Sequence, residues 1–412
     1  MTDVARRMTY REAIDWLFST QMFGIKLGLD GPRRLLTEFL AHPAHGVKVI
    51  HVAGTNGKGS TCAMIDRIAR SAGWRSGLFT SPHLIDYRER IQVSGEQIPE
   101  EECADMLTAL RTICERLDPH PTFFEITLAL AMRWFRERGC EIIVLETGMG
   151  GRLDATTAVE ADVCAVTPIG LDHTQWLGGS IEEIAAEKAG IFLPGKPALS
   201  SPQEPAAAAV LEKHANLTRA PFEFITEPLR GYPIALTGEH QAWNAALAVA
   251  ALAKAGLPLS YDVVRHGLES VRWPGRFEEI EAGLILDGAH NPHAARVLAE
   301  TWGRRFPNTL ANLVFSAVAA KDVRGILEHL APLAREIFLC PVDTPRALST
   351  TELAGFLPPS RGLEFPDLAG ALEAARASRQ ENHLPILIAG SLFLVGEAKA
   401  LIAEQGFRGF EQ

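Results

Sequence analysis

The feature that most constrains this chain is a β-branched run that ends directly at a glycine-rich loop. Val47 to Ala53 (VKVIHVA) predicts a buried strand. It is followed at once by Gly54 to Ser60 (GTNGKGS) and then by a helical pattern from Thr61 to Ser71. A strand, such a loop and a helix in this order bring backbone N–H groups and a helix N-terminus onto one anion. The chain is therefore expected to be an α/β protein that binds a nucleoside triphosphate.

The side chains of the loop fit the same purpose. Gly57 and Gly59 let the backbone curl, Lys58 supplies a positive charge for the β- and γ-phosphates, and Ser60 supplies a hydroxyl for the phosphates or for Mg²⁺. Only two residues separate the first glycine from the Gly-Lys pair, whereas the usual phosphate loop has four. The alternative is a glycine-rich turn with an incidental lysine, but the flanking strand and helix favour the phosphate loop.

Short apolar runs alternate with amphipathic ones through the rest of the chain, which indicates βαβ units and a mostly parallel sheet. The pattern pauses at 270–276 (SVRWPGR) and then resumes. We expect a P-loop-type domain over residues 1–271, with a mostly parallel sheet flanked by helices, and a smaller Rossmann-like α/β domain over residues 272–412. Beyond the strand and helix beside the loop, the predicted strands are 76–80, 141–147, 162–167, 284–287, 312–318, 336–340 and 384–389, and the predicted helices include 99–117 and 180–189.

Charge and cysteine usage exclude several classes of function. The net charge is -10 and there is no long run of Lys or Arg, which argues against nucleic-acid binding. No apolar stretch is long enough to predict a membrane span, and the N-terminus has no apolar run typical of a secretory signal. The six cysteines have no metal-ligand spacing and are expected to be reduced core residues. A cytoplasmic location is the resulting expectation.

Polar residues follow several predicted strands, at the sheet edge where ligands of α/β proteins bind. Glu146 ends one strand and a glycine-rich loop follows it, so its carboxylate is placed to hold Mg²⁺ against phosphates. His173 follows the next strand and has both a structural and a ligand interpretation. Lys188 ends a helix, where a lysine is ordinarily a solvated charge favoured by the dipole.

Taken together, these motifs resemble those of folylpolyglutamate synthases and dihydrofolate synthases, within the Mur ligase superfamily. The resemblance covers nearly the whole chain. Its markers, in order, are GTNGKGS (54–60), TSPHL (80–84), ERI (89–91), TFFE (122–125), GMGGRLDAT (148–156), LDHTQWLG (171–178), EKAGI (187–191), GEHQAWNA (238–245), PGR (274–276) and DGAHNP (287–292). Each marker is weak alone, and their number and order carry the resemblance.

The resemblance implies a role for each matching residue. It makes Ser81, Glu146 and His173 ligands of Mg²⁺, and Lys188 a carbamylated lysine that also reaches the metal, which reverses its interpretation as a solvated charge. The predicted catalytic residues are Lys58, His173 and Lys188. The ATP-binding residues implied are Gly57, Lys58, Gly59, Ser60, Asn244, Arg276 and Asp287. The folate-binding residues implied are Phe124, Leu153, Asp154 and Ala155, and His290 faces the incoming glutamate.

The reaction implied is ATP- and Mg²⁺-dependent ligation of L-glutamate to the carboxylate of a folate or of dihydropteroate, through an acyl phosphate, by a monomer. Whether the chain uses dihydropteroate, tetrahydrofolate or both stays open, with both favoured. One departure is Thr157, where the family usually has asparagine; it bears on the detail of the loop and leaves the reaction as implied.

Two other functions compete with this one. A Mur ligase acting on a nucleotide-linked muramoyl peptide shares the phosphate loop, but only 53 residues precede Gly54, fewer than a UDP-sugar domain of about 100 residues. A regulatory P-loop NTPase would hydrolyse nucleotide without forming an amide, and it leaves the second α/β region unexplained.

Overall fold

The computed structural model describes residues 6–24 and 26–407 and contains two β-sheets flanked by helices. The first sheet has eight strands in the order β4-β3-β2-β5-β1-β6-β7-β8, all parallel to their neighbours except for the antiparallel pairs β2–β3 and β3–β4. Its strands are β1 (Lys48–Ala53), β2 (Ser76–Phe79), β3 (Ile91–Val93), β4 (Glu96–Gln97), β5 (Ile142–Glu146), β6 (Val163–Val166), β7 (Ala198–Ser200) and β8 (Phe222–Phe224).

Helices cover both faces of the first sheet, because its central strands are apolar on both sides. Val49 and Ala53 of β1 lie in one hydrophobic cluster, whereas the intervening Ile50 and Val52 lie in another. The helices are α1 (Tyr10–Ser19), α2 (Asp30–Glu38), α3 (Lys58–Ser71), α4 (Glu100–Cys114), α5 (Phe123–Glu137), α6 (Thr174–Leu177), α7 (Ile181–Ala189), α8 (Pro205–Thr218), α9 (His240–Lys254) and α10 (Tyr261–Ser270).

The second sheet has six strands in the order β13-β12-β11-β14-β10-β9, parallel except for the edge strand β9. Its core packs into two further hydrophobic clusters. The elements are β9 (Glu278–Glu281), β10 (Leu284–Asp287), α11 (Pro292–Arg305), β11 (Ala311–Phe315), α12 (Val323–Leu330), β12 (Ala334–Leu339), α13 (Thr350–Ala354), β13 (Gly362–Glu364), α14 (Leu368–Asn382), β14 (Ile386–Ala389) and α15 (Leu392–Ile402).

The predicted fold class is confirmed: a large, mostly parallel sheet and a second, smaller α/β sheet are both present. Every strand predicted from an apolar run is found, with ends that differ by at most three residues. The segment 271–277 joins α10 to β9 and so connects the two sheets. A domain boundary at 271–272 is a proposal consistent with that position.

The topology brings the predicted polar residues together. In β2, β5, β1 and β6, which are adjacent and parallel, the carboxyl ends lie along one edge of the sheet. Ser81 follows β2, Glu146 ends β5, the glycine-rich loop follows β1, and His173 follows β6. Four segments that are far apart in sequence therefore converge at this edge.

Candidate functional site

The glycine-rich loop closes tightly between β1 and α3. Gly54 and Gly57 have φ values of +146° and +89°, which side chains of L-residues rarely adopt. A Cβ atom would lie 1.8 Å from Thr167 Oγ1 at Gly54 and 2.8 Å from Asn244 Oδ1 at Gly57. Both positions therefore require glycine, for conformation and for space.

Lys58 is the first residue of α3, so its charge adds to that of the helix N-terminus. Its Nζ atom donates to the carbonyl oxygens of Gly54 (3.2 Å) and Thr55 (3.3 Å) and has no carboxylate partner within 4.0 Å among the described residues. A lysine held only by loop carbonyls can turn to a phosphate oxygen without breaking an ion pair.

A cavity of about 490 Å³, here called the loop cavity, lies over the glycine-rich loop and has walls from both sheets. Most of the site residues predicted from the sequence line it. They are Gly57, Lys58, Gly59, Ser60, Ser81, Glu146, His173, Lys188, Asn244, Arg276, Asp287 and His290. The loop cavity is large enough for a nucleotide and holds basic, acidic and hydroxyl groups side by side.

Glu146 is the acidic centre of the loop cavity. It is 4% exposed, and its Oε2 atom accepts a hydrogen bond from the Ser81 N–H at 3.1 Å. Burial raises the pKa of this carboxyl, and the positive charge of Lys58 opposes that shift. A carboxylate that accepts one backbone hydrogen bond and borders a cavity can bind a divalent cation there.

His173 stands at the start of α6 with φ +52°. Burial lowers its pKa to about 3, although the adjacent Asp172 carboxylate acts in the opposite direction. The imidazole is therefore neutral at physiological pH, which is the form that binds metals. Ser81, Glu146 and His173 line the same cavity, as the prediction of a shared metal requires.

Lys188 lies at the end of α7 as predicted, but its surroundings differ from those of a solvated helix-end lysine. Its side chain is 3% exposed, and Nζ donates to the Gly54 carbonyl at 2.8 Å. Burial and the nearby Lys58 charge lower its pKa to about 7. The interpretation of Lys188 as a solvent-facing charge is thus wrong, because α7 packs its last turn against the glycine-rich loop.

Asn244, Arg276 and Asp287 also line the loop cavity. Asn244 lies on α9 against Gly57, and Arg276 lies on the segment that joins the sheets. Asp287 ends β10, where its carboxylate accepts from the N–H groups of Phe277 and Ala289, both at 2.9 Å. Burial raises the pKa of Asp287, and the charge of Arg276 opposes this.

The four residues predicted to contact folate lie apart from the lining of the loop cavity. The Phe124 ring is in contact with the backbone at Gly148, where a Cβ atom would lie 2.7 Å from Cζ. Asp154 accepts from Met149 N (2.8 Å) and from Thr156 N (3.0 Å) and Oγ1 (2.5 Å), so it shapes the 148–156 loop. Leu153 and Ala155 flank it, and Ala155 is 8% exposed.

Hydrogen bonds and ion pairs join the part of the chain around the first sheet to the part around the second sheet. The sequence did not predict these contacts. Asn56 of the glycine-rich loop and Asn291, which caps the N-terminus of α11, exchange side-chain hydrogen bonds of 3.2 and 3.0 Å. Asp172 pairs with Lys321 at 2.5 Å and with His290 Nε2 at 3.4 Å. Burial opposes ionisation of Asp172, but His290 and Lys321 outweigh it and hold its pKa well below the usual range.

Two features are absent from residues 6–24 and 26–407. None of the helices there is long and apolar enough to cross a membrane. Over the same residues, no three His, Cys, Asp or Glu side chains meet to hold a metal ion. A metal bound beside Glu146 and His173 would therefore need other ligands, and Ser81 and Lys188 line the same cavity.

Two protein families match the chain. The Mur ligase middle domain matches residues 52–200, and the Mur ligase glutamate ligase domain matches residues 275–392. The dihydrofolate synthase/folylpolyglutamate synthase of Bacillus subtilis is 35% identical over 95% of this chain and 98% of its own length.

Solved structures agree with these matches. Escherichia coli FolC, in complex with DHPP and ADP, is 32% identical, with a TM-score of 0.86 over 95% of this chain and 98% of its own. The bifunctional folylpolyglutamate synthase/dihydrofolate synthase of Yersinia pestis, complexed with AMPPNP and a Mn ion, is 31% identical, with a TM-score of 0.85 over 98% of this chain and 100% of its own.

Proposed function

Because the chain belongs to the dihydrofolate synthase/folylpolyglutamate synthase family of Mur ligases, we propose that it uses ATP to join L-glutamate to the carboxylate of dihydropteroate and of folates. The observation that carries the proposal is the loop cavity, where a phosphate loop, a buried carboxylate and a neutral histidine meet residues of the second sheet. A divalent cation accompanies the nucleotide in the Yersinia pestis relative.

Activation of the carboxylate is the first task of such an enzyme. A carboxylate resists attack by an amine, and transfer of the γ-phosphoryl group makes an acyl phosphate with a good leaving group. Phosphoryl transfer depends mainly on alignment and charge neutralisation. In the proposed reaction Lys58 and the N–H groups of the glycine-rich loop bind the phosphates, and Arg276, which lines the same cavity, contacts the nucleotide. A bound Mg²⁺ ion would add further neutralisation at Ser81, Glu146 and His173.

Formation of the amide is the second task, and water must be kept from the acyl phosphate meanwhile. The Asn56–Asn291 and Asp172–Lys321 contacts hold the second sheet against the glycine-rich loop. We infer that these contacts help to keep water from the loop cavity while the amine of glutamate attacks and phosphate leaves. His290 lies in that wall, 3.4 Å from Asp172, consistent with the proposal that it faces the incoming amino acid.

A product assay tests the proposed function directly. The chain is incubated with MgATP, L-glutamate and either dihydropteroate or tetrahydrofolate, and products are identified by mass spectrometry. We expect an added glutamate residue on each substrate and phosphate release that requires both the folate compound and glutamate. Phosphate release without either, and without an amide product, would instead support a regulatory NTPase.

The metal site is tested by Glu146→Gln and His173→Ala. Each variant is expected to lose activity by on the order of 10- to 100-fold or more, because each removes one ligand, and excess Mg²⁺ should restore only part of it. The measurement is initial rate against Mg²⁺ concentration. Glu160→Gln and His266→Ala, whose side chains are 80% and 58% exposed, are matched controls. An unchanged Mg²⁺ dependence in both test variants would show that these residues are not ligands.

A further inference from the structure

A second cavity of about 560 Å³ adjoins the loop cavity and has three arginines of its own. It shares Gly59, Ser81, Pro82, Glu146, Arg276 and Leu392 with the loop cavity. The arginines that line it alone are Arg67, Arg70 and Arg272. We call it the arginine cavity.

One face of α3 forms its floor. Gly59, Ala63, Asp66, Arg67 and Arg70 line the cavity, at the three- and four-residue spacing of one helix face. The small residues lie nearest the glycine-rich loop and the arginines lie further along. From Gly59 to Arg70 the helix rises roughly 16 Å. The cavity is therefore a groove that leads from the predicted reaction centre to a positive end.

The charges in this groove are unevenly balanced. Glu89 also lines it, but its carboxylate accepts from the backbone N–H groups of Leu84 (2.7 Å), Ile85 (2.9 Å) and Asp86 (2.8 Å). Asp66 pairs with Arg70 at 3.3 Å. The carboxylates of Glu89 and Asp66 therefore already have partners. Two arginines of the groove, in contrast, have no carboxylate partner within 4.0 Å among the described residues.

Arg67 and Arg272 are those two arginines. Arg67 uses Nε to donate to Ser270 Oγ at 2.8 Å, and Arg272 donates from one Nη atom to the Val271 carbonyl at 3.0 Å. The remaining guanidinium N–H groups are available to a ligand. Since a guanidinium binds carboxylates in a bidentate manner, the groove suits a ligand with several carboxylates.

The segment 271–277, which joins α10 to β9, forms another wall of the groove. Trp273 lies against α3, where a Cβ atom on Gly59 would be 2.7 Å from its indole Nε1. Arg272 and Trp273 belong to the same short segment as Arg276, which lines both cavities. A ligand held in the groove would thereby also fix the segment that presents Arg276 to the nucleotide.

We propose that the arginine cavity binds the oligoglutamate tail of the folate substrate, an inference that rests on the proposed function. The reacting carboxylate must reach Ser81 and Glu146 whatever the length of the tail. Dihydropteroate has no glutamate, whereas each round of ligation inserts one more residue between the pterin and the reacting end. A pterin beside Phe124 cannot stay there unless the growing tail has another path.

The chemistry of such a tail matches the groove. Each glutamate in the tail keeps one free carboxylate for an arginine and contributes an amide that Gln92 and Gln97 can bind. When extended, a tail of roughly three to five glutamates, depending on which carboxylate carries the linkage, is as long as the α3 face. A tail whose two ends stay at Glu146 and at a pterin beside Phe124 therefore enters the groove as a loop. The cavity therefore recognises the tail, and the pterin-binding residues recognise the other end of the substrate.

The test is the double variant Arg67→Gln/Arg272→Gln, with Arg111→Gln, an exposed arginine on α4 paired with Glu115, as the control. Steady-state rates are measured with dihydropteroate, tetrahydrofolate and tetrahydrofolate triglutamate. We expect the KM for the triglutamate to rise about tenfold for each arginine removed, with little change for dihydropteroate. Calorimetry with a free glutamate trimer should show binding to the wild type and weaker binding to the double variant.

Several outcomes would overturn the proposal. An equal rise of KM for dihydropteroate and the triglutamate, or no rise for either, would show that the groove does not recognise the tail. If the double variant fails to fold, Arg272→Gln alone decides. That side chain is exposed and, within residues 6–24 and 26–407, bonds only to its own segment. Absence of product from every substrate with the wild type would instead contradict the proposed function.

Discussion

Lys58→Ala is expected to reduce ligation by a factor on the order of 10³ or more while the protein remains folded. The loss follows from position: Lys58 begins α3 beside the glycine-rich loop and faces the loop cavity. The substitution would remove a full positive charge beside the nucleotide phosphates at the step where the γ-phosphoryl group is transferred. The measurement is the rate of glutamylated product formation, followed by mass spectrometry.

The fold should tolerate this substitution. Among the residues that the structure describes, the Lys58 side chain bonds only to the carbonyls of Gly54 and Thr55, and alanine is a better helix former. Circular dichroism and the thermal midpoint check this, with Lys254→Ala, which removes an exposed pair with Glu223, as the control. Near-normal turnover by a folded Lys58→Ala variant would show that the loop does not bind the nucleotide as proposed.

The second large effect is expected at Lys188. We propose that its amine adds CO₂ and that the resulting carbamate faces the metal. Burial and the Lys58 charge lower its pKa to about 7, which favours the neutral amine that can react with CO₂. The carbamate would carry a negative charge that a divalent cation stabilises. As an ammonium, the same side chain would repel that cation.

Lys188→Ala should therefore be nearly inactive, and a short carboxylate such as formate or acetate should restore part of its activity. The rescue is specific to the cavity left by the lysine, so the same salts should have no effect on Lys58→Ala. Enzyme equilibrated with ¹³C-labelled bicarbonate should show a carbamate carbon signal by NMR, absent from the variant. Electron density for an unmodified ammonium with ATP and metal both bound would contradict carbamylation.

Local sequence was sufficient to predict the fold class and the glycine-rich loop. Apolar runs such as 47–53 specify buried strands because the central strands of a parallel sheet are covered on both faces. The glycines predicted a loop whose backbone can curl. The structure adds why Gly54 and Gly57 are required, a positive φ and no room for a Cβ atom. The strand ends then predicted where Glu146 and His173 would lie.

The role of Lys188 needed more than its position in the sequence. Its place at the end of α7 predicts a solvated charge, and only the family resemblance indicated otherwise. Its burial depends on how α7 packs against the loop after β1, a contact between residues that are 134 positions apart. Helix periodicity and capping contain no information about such a contact.

What the sequence determined by itself is local: the strands, the helices, and the loop whose backbone conformation its own glycines allow. The tertiary structure decided which distant side chains meet. It paired Asp172 with Lys321 and Asn56 with Asn291. It also set Arg67 and Arg272, which have no carboxylate partner in the described part of the chain, along a groove beside Glu146. The physical reason is that charge pairing and desolvation depend on distances through space. Those distances are fixed only when the two sheets pack together.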